Sequence, residues 1–324
     1  MAIYHLKIRA ISRSDARSAP GAAAYRAGEA IRDERTGKLH NHSRRTDVMH
    51  KEIMLPSGGS GAQAHWARDR SALWNQAERA EHRRDSRVAR EYEIALPAEL
   101  DPVQRLTLTR AFAQELADRH QIAVDVAIHA PRPLGDARNY HAHLLATTRE
   151  VTAEGLGAKA GLDMNSVERA RRGLPPGLAE INTVRERWAS LANEALRSAG
   201  LSVQIDHRSL AAQGIDREPM RHIPYAAIQA ERHGVRSELA ERIRAEYRER
   251  MAARMQAKAR REPEREAEPV GAAAVEAGAP PASLAELRRG AREAWLKMRA
   301  QMTAQLERES GPAKARQVDR EFER

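Results

Sequence analysis

Residues 122–148 read IAVDVAIHAPRPLGDARNYHAHLLATT, and two strands joined by a turn are legible in them. Ile122 to His129 is a β-branched run, and Tyr140 to Thr148 is a second apolar run. Between them, Ala130 to Asn139 carries the Pro, Gly, Asp and Asn of a loop. That loop is short enough to pair the strands antiparallel. Side chains alternate along a strand, so His141 and His143 face one side, with Cα atoms roughly 6.6 Å apart. His129, ending the first strand, can lie beside them as a third nitrogen. Three neutral imidazoles suit a borderline divalent ion such as Mn²⁺, Zn²⁺, Co²⁺ or Ni²⁺. Three protein ligands also leave coordination positions open, as catalytic sites require. A lone histidine is more often a core or surface residue; two at i and i+2 plus one on the preceding strand favour the metal. His5, His40, His42, His50, His82, His120, His207, His222 and His233 lack that convergence and are expected to be structural or at the surface.

Working outward, Ala2 to Ile11 alternates, with Tyr4, Leu6 and Ile8 opposite His5, Lys7 and Arg9, as in a half-buried strand. Ser18 can cap, Pro20 fits a first turn, and the following Ala run predicts a helix to about Arg32. Asp47 to Leu55 predicts a strand ended by the loop PSGGSG. Ala64 to His82 has helical spacing of Trp66, Leu73, Trp74 and Ala77. Arg87 to Leu96 is a strand stopped by Pro97, and Asp101–Pro102 opens a helix with Leu108, Phe112 and Leu116 on one face. Val151 to Pro176 has no steady period and is expected to be a mobile excursion. Ile181 to Ala199 is a helix terminated by Gly200, and LSVQIDHRSL is expected as a short strand and turn. Strands interrupted by three helices argue for an α+β domain with a largely antiparallel sheet. They argue against an all-β three-histidine oxygenase.

The chain has 324 residues, of which 41% are hydrophobic, 4% aromatic and 31% charged, with a net charge of +10. That composition suits a folded part followed by a polar, helical, partly disordered extension. The basic balance favours a polyanionic partner, nucleic acid foremost. There is no cysteine, which excludes disulfides and thiolate metal sites. No apolar run approaches a membrane span and the N-terminus has no signal-like core, so a cytoplasmic protein is expected. No phosphate-binding loop is present, so an ATP-driven helicase is not supported.

Two further features bear on chemistry. Tyr25 sits in AAAYRAGE, where small residues let backbones approach; taken alone it reads as a packing aromatic. Glu91 and Glu93 in REYEIAL share one strand face, opposite Tyr92 and Ile94. They could orient a metal-bound imidazole or take a tyrosine proton, or form a solvated face.

MAIYHL at the start, SR…SA…AAYRAGE around Tyr25, W-N-x-x-E-x-x-E from Trp74 to Glu81, AREYEIALP, IHAP…NYHAHLL and LSVQIDHRSLAAQGIDREP occur in that order. Together they resemble the MobA/MobL family of plasmid relaxases, the MobQ-type branch of the HUH endonucleases. The resemblance implies an antiparallel five-stranded sheet with flanking helices over residues 1–224. It implies that Tyr25 attacks a scissile phosphate at an origin of transfer, leaving a 5′-phosphotyrosine and a free 3′-hydroxyl, that the cleavage needs no ATP, and that the strand can be rejoined. His129, His141 and His143 would hold a divalent ion, Mn²⁺ or Mg²⁺ first, with Zn²⁺, Co²⁺ and Ni²⁺ also compatible; Glu91 or Glu93 would support them. The implied partners are single-stranded and hairpin DNA, accessory mobilisation proteins and a type IV secretion coupling protein. Arg26, Arg44, Arg45, Arg169, Arg171 and Arg172 are candidate phosphate contacts, each equally readable as a surface charge. A basic helical segment at 225–260, a linker at 261–282 and a helix and tail at 283–324 are expected to follow. A rolling-circle replication initiator would share the same chemistry, and a non-catalytic basic DNA-binding protein is the remaining alternative.

Overall fold

The computed structural model describes residues 3–132, 135–221 and 223–267. In chain order it forms β1 (Leu6–Ser12), α1 (Ala19–Ala27), a hairpin of β2 (Ala30–Arg32) and β3 (Leu39–Asn41), and β4 (Val48–Met54). Next come α2 (Arg70–Arg79), β5 (Arg87–Ala95), α3 (Pro102–His120), β6 (Val124–His129) and β7 (His141–Ala146). A second hairpin, β8 (Arg149–Val151) and β9 (Leu156–Lys159), leads to α4 (Ser166–Arg171), α5 (Gly177–Ser198), α6 (Tyr225–Arg232) and α7 (Glu238–Ala267). A five-stranded sheet has the order β1-β5-β7-β6-β4, and every neighbouring pair is antiparallel. This is the expected α+β architecture.

Alternation along the strands gives the sheet two different faces. Tyr92, Ile94, Val124, Val126, Ile128, Ala142 and Leu144 pack against Phe112 and Leu116 of α3 and Trp188 and Leu196 of α5. The rings of Phe112 and Trp188 lie 5.2 Å apart. Side chains of this size each contribute about 1.5–3 kcal/mol on full burial, so this face carries much of the stability. Ala89 and Leu145 face the other way, onto Ala23 and Ala24 of α1 and Leu73 and Trp74 of α2. Glu91, His129, His141 and His143 share this second face by alternation.

α1 is short and small-sided. Ser18 caps it by accepting a bond from the Gly21 amide. It does not run to Arg32 as expected, because Gly28 adopts a left-handed conformation, φ +61°, that ends it at Ala27. The residues after Gly28 instead enter the β2–β3 hairpin. α2 likewise starts later than the periodicity suggests, at Arg70, because Asp69 caps there and accepts from the Ala72 amide at 2.7 Å.

Two expectations are corrected. The segment 151–176, expected as an excursion without regular structure, holds β9, which closes the hairpin with β8, and α4; polar ties that hydrophobic periodicity does not register secure it. Arg149 binds Glu81 at 2.8 Å, Arg90 binds Asp163 at 2.7 Å, and buried Arg169 donates to the carbonyls of Gly161 and Pro175. Residues 201–207 form no strand; the Asn193 side chain clasps the backbone of Ile205 at 2.9 and 2.8 Å, replacing a ladder.

The chain divides into two compact units at Met220/Arg221. In the second, Ile223, Ala227, Ala240 and Ile243 form a small apolar cluster between α6 and α7, and Arg244 binds Glu231. α7 continues to Ala267, beyond Arg261, where a linker was expected. The expected helix and tail at 283–324 lie outside the described residues. No helix among them is long and apolar enough to cross a membrane.

Candidate active site

β6 and β7 pair in a register that puts His129 directly opposite His141, while His143 sits opposite Glu93 of β5. The ring centroids of the three histidines lie 4.9–5.3 Å apart. One nitrogen from each falls within 4.8 Å of the other two, so three donors can reach one ion. His129 and His143 are buried; His141 is half-buried.

Each ring has its second nitrogen engaged, which sets its tautomer. His143 Nδ1 donates to Glu91 at 2.7 Å, His141 Nδ1 donates to the Asn139 carbonyl at 3.0 Å, and His129 Nε2 donates to the Arg26 carbonyl at 2.8 Å. The lone pairs left over are Nε2 of His141 and His143 and Nδ1 of His129. Burial, reinforced by the neighbouring imidazoles and Arg45, pushes His129 down to about 4; burial also lowers His141. Both rings are therefore neutral near pH 7 and able to ligate. The donor chemistry fits a borderline divalent cation.

Glu91 is fully buried and binds His143, Arg26 of α1 and Arg9 of β1. Burial alone would raise its carboxyl, but the bonds from His143, Arg26 and Arg9 outweigh that and hold it far below the usual carboxylate range. Glu93 is more open and lies 3.5 Å from Arg9. The two carboxylates thus differ in kind: Glu91 braces an imidazole, while Glu93 stands at the rim.

Tyr25 is the exposed aromatic of α1, 43% accessible where most of the helix is buried. Its neighbour Arg26 supplies the carbonyl that holds His129. The guanidinium of Arg45 lies over the Tyr25 ring, 4.3 Å from the centroid, and donates to the Tyr25 carbonyl at 2.7 Å. Asp47 orients Arg45 through two bonds, and its own carboxyl is held at about 2 mainly by them. Arg45 Nη2 also comes within 3.5 Å of His129 Nδ1. The edge of His42 meets the Tyr25 ring at 5.2 Å. Tyr25 is in this way tied to the imidazole cluster by one backbone bond and one guanidinium.

The six arginines expected at phosphate separate. Arg26 and Arg169 are buried and bound within the protein, which removes them as free phosphate contacts. Arg45 holds Tyr25. Arg172 pairs with Glu168 and Glu150. Arg44 and Arg171 are exposed. Sequence reasoning missed Arg9, Asp47 and Glu78. Arg9 was detectable as a cation opposite Glu91 in a neighbouring strand, but only once the register is known. Glu78, inside the quoted Trp74–Glu81 motif, is buried; it binds the Ala19 amide at 2.8 Å and Arg13 at 2.8 Å, anchoring the start of α1.

The MobA/MobL family model matches residues 17–233. The mobilization protein MobL of Acidithiobacillus ferridurans is 41% identical over 253 residues, covering 72% of this chain and 64% of that protein. A 43 kDa relaxation protein of Salmonella typhimurium is 33% identical over 239 residues, covering 67% of this chain and 57% of that protein. The chain thus spans less than two thirds of the length of these curated relatives. A solved structure described as "Molecular Basis of Vancomycin Resistance Transfer in Staphylococcus aureus" superposes with a TM-score of 0.55 at 28% identity, covering 64% of this chain and all of that one.

Proposed function

The chain belongs to the MobA/MobL family, and we propose that it acts as a mobilisation relaxase, nicking one DNA strand at an origin of transfer and rejoining it. The observation that carries this reading is the convergence of three imidazoles beside an exposed tyrosine held by its own clamp. Tyr25 would attack the scissile phosphorus: a tyrosyl O–P bond forms, the P–O3′ bond breaks, the phenol proton is lost and the leaving oxygen ends as a 3′-hydroxyl. The 5′-phosphotyrosyl bond conserves the phosphodiester energy for rejoining.

His129, His141 and His143 would hold a divalent cation, which when bound neutralises and polarises phosphate oxygens. Glu91 acts as a positioning residue, keeping His143 oriented rather than taking the tyrosine proton, because both its oxygens are already bonded to cations and to the imidazole. Arg45 holds the Tyr25 ring. Mn²⁺ or Mg²⁺ are the ions to test first. Origin hairpin DNA, accessory mobilisation proteins and a type IV secretion coupling protein are the partners that this reading implies. Family membership favours transfer over replication initiation.

The test is a denaturing-gel assay for a covalent protein–DNA adduct, using single-stranded oligonucleotides from candidate transfer origins. Wild type should form the adduct with Mn²⁺ or Mg²⁺ and lose it on chelation; Tyr25→Phe should bind the strand and form none. Binding without any adduct, across metals and origins, would sink the catalytic reading and leave a DNA-binding module.

A further inference from the structure

The last turn of α1 ends in carbonyls that no amide within the helix can reach. That of Ala24 is taken up locally, by the amides of Gly28 and Glu29. The next three are each held by a side chain from elsewhere: Tyr25 by Arg45 at 2.7 Å, Arg26 by His129 at 2.8 Å and Ala27 by the Lys51 ammonium at 3.0 Å. Arg45 and His129 are parts of the site described above, and Lys51 is the third member of the set. By register Lys51 lies opposite Ala127 of β6, which in turn lies opposite His143 of β7. Paired residues point to the same face of a sheet, so Lys51 stands in the row of His143, on the face of the imidazoles. Its ammonium is drawn toward α1 by a chain of alternating charge. Lys51 pairs with Glu29 at 2.8 Å, Glu29 with Arg70 at 2.7 Å, and Arg70 with buried Asp125 at 2.8 Å. Burial alone would raise the Glu29 carboxyl, but the bonds from Lys51 and Arg70 outweigh it and lower it. Both ends of this chain, Lys51 of β4 and Asp125 of β6, belong to the sheet that carries the histidines. A cation at the end of a helix is favoured by the helix dipole as well.

We propose that Lys51 is a positioning residue for strand transfer: by holding the Ala27 carbonyl it fixes the last turn of α1, and with it Tyr25 relative to His129. This role rests on the reading of Tyr25 as the nucleophile. Tyr25, Arg26 and Ala27 are consecutive in that turn. A turn released at Ala27 therefore shifts the nucleophile and the carbonyl that supports His129 together. Helix ends fray, and Gly28, left-handed directly after Ala27, adds no stiffness of its own. Lys51 acts through α1 rather than on the phosphate.

The experiment compares Lys51→Met, which keeps the stem and removes the ammonium, with Lys51→Arg, which can still donate to the carbonyl and pair with Glu29. In the full chain, single-turnover adduct formation is followed at saturating Mn²⁺ and saturating single-stranded origin oligonucleotide, and strand affinity is measured across a salt series. Lys51→Met should slow the adduct about 10–100-fold, the scale of a small misplacement, with strand affinity within about threefold of wild type. Lys51→Arg should recover most of the rate. Hydrogen exchange gives a readout that needs no activity: the Gly28 and Glu29 amides, which close the end of α1 on Ala24, should exchange faster in Lys51→Met, while amides of α3 keep the wild-type rate. If Lys51→Met does not fold, as judged by circular dichroism, Glu29→Gln, which frees the ammonium from its anchor, should show the same pattern to a smaller degree. A slope of log K against log salt lowered by about 0.7, the share of one phosphate contact to a single strand, would make Lys51 a strand contact and overturn the inference. Unchanged exchange at the end of α1, or faster exchange throughout the domain, would overturn it too. A wild type that forms no adduct removes the catalytic reading and the positioning role with it, whereas a reactive wild type matched in rate by Lys51→Met removes the role of Lys51 alone.

Discussion

Glu91 is the residue on which the site's geometry most depends, since it ties together β1, α1 and β7. Glu91→Gln leaves two guanidiniums facing a neutral amide. We expect it to cost about 3 kcal/mol, the range for breaking a buried ion pair, and to weaken metal affinity by about 10–100-fold, read by thermal denaturation and by calorimetric Mn²⁺ titration. Because the folded state holds this carboxyl below its unfolded value, its contribution is present above roughly pH 4.3 and is lost as pH falls through the carboxylate range toward the folded value. Stability of wild type should accordingly fall more steeply on acidification than that of the Gln variant. Arg45 should behave differently: Arg45→Ala is expected to slow adduct formation about 10–100-fold through misplacement of Tyr25, with strand affinity changed by less than about threefold, since one phosphate contact is the most it could forfeit. Arg45→Lys keeps the charge but not the planar fork, and should rescue little. Equal losses in rate and affinity would instead make Arg45 a strand contact.

Among the elements, α1 matters more than its nine residues suggest. It offers Tyr25 on one side, braces His129 through a carbonyl and Glu91 through Arg26, and is itself anchored at its start by Glu78 of α2. Glu78→Ala should destabilise the domain by about 3 kcal/mol, because Arg13 loses its buried partner and the α1 amide its acceptor. Adduct formation should fall further than folding alone explains, and a rate that simply follows the folded fraction would show that α1 keeps its place without the anchor. α2 is joined to the sheet by Arg70, which binds Asp125 at 2.8 Å, while Trp74 Nε1 donates to the same carboxylate at 2.9 Å. Much of this was legible at the level of elements, because alternation and capping residues are local. The end of α1 was not, since an Ala-rich run favours continuing the helix and only Gly28, in its left-handed conformation, turns the chain into the hairpin. The 151–176 segment escaped for a related reason: buried ion pairs with residues far away in sequence hold it, and no local pattern records them.

For the whole molecule, the division at Met220 leaves the sheet, its two helical faces and every candidate site residue in the first unit. We expect residues 1–220 produced alone to unfold cooperatively and to form the Tyr25 adduct at a rate within about threefold of the full chain, a difference under about 1 kcal/mol; aggregation, or loss of the adduct in a folded fragment, would tie the second unit to the chemistry. The sequence by itself determined the α+β class, the strand bearing His141 and His143, the third histidine before it and the basic character that favours nucleic acid, because each depends on periodicity, residue type or composition. Only the tertiary structure decided that His129 stands opposite His141, that Glu91 rather than Glu93 braces an imidazole, that Arg26 and Arg169 are internal ties, and that Lys51 meets the carbonyl of Ala27. Strand register and the meeting of separate elements are set by packing between distant segments, and neighbouring residues along the chain carry no trace of which distant partner a side chain will meet.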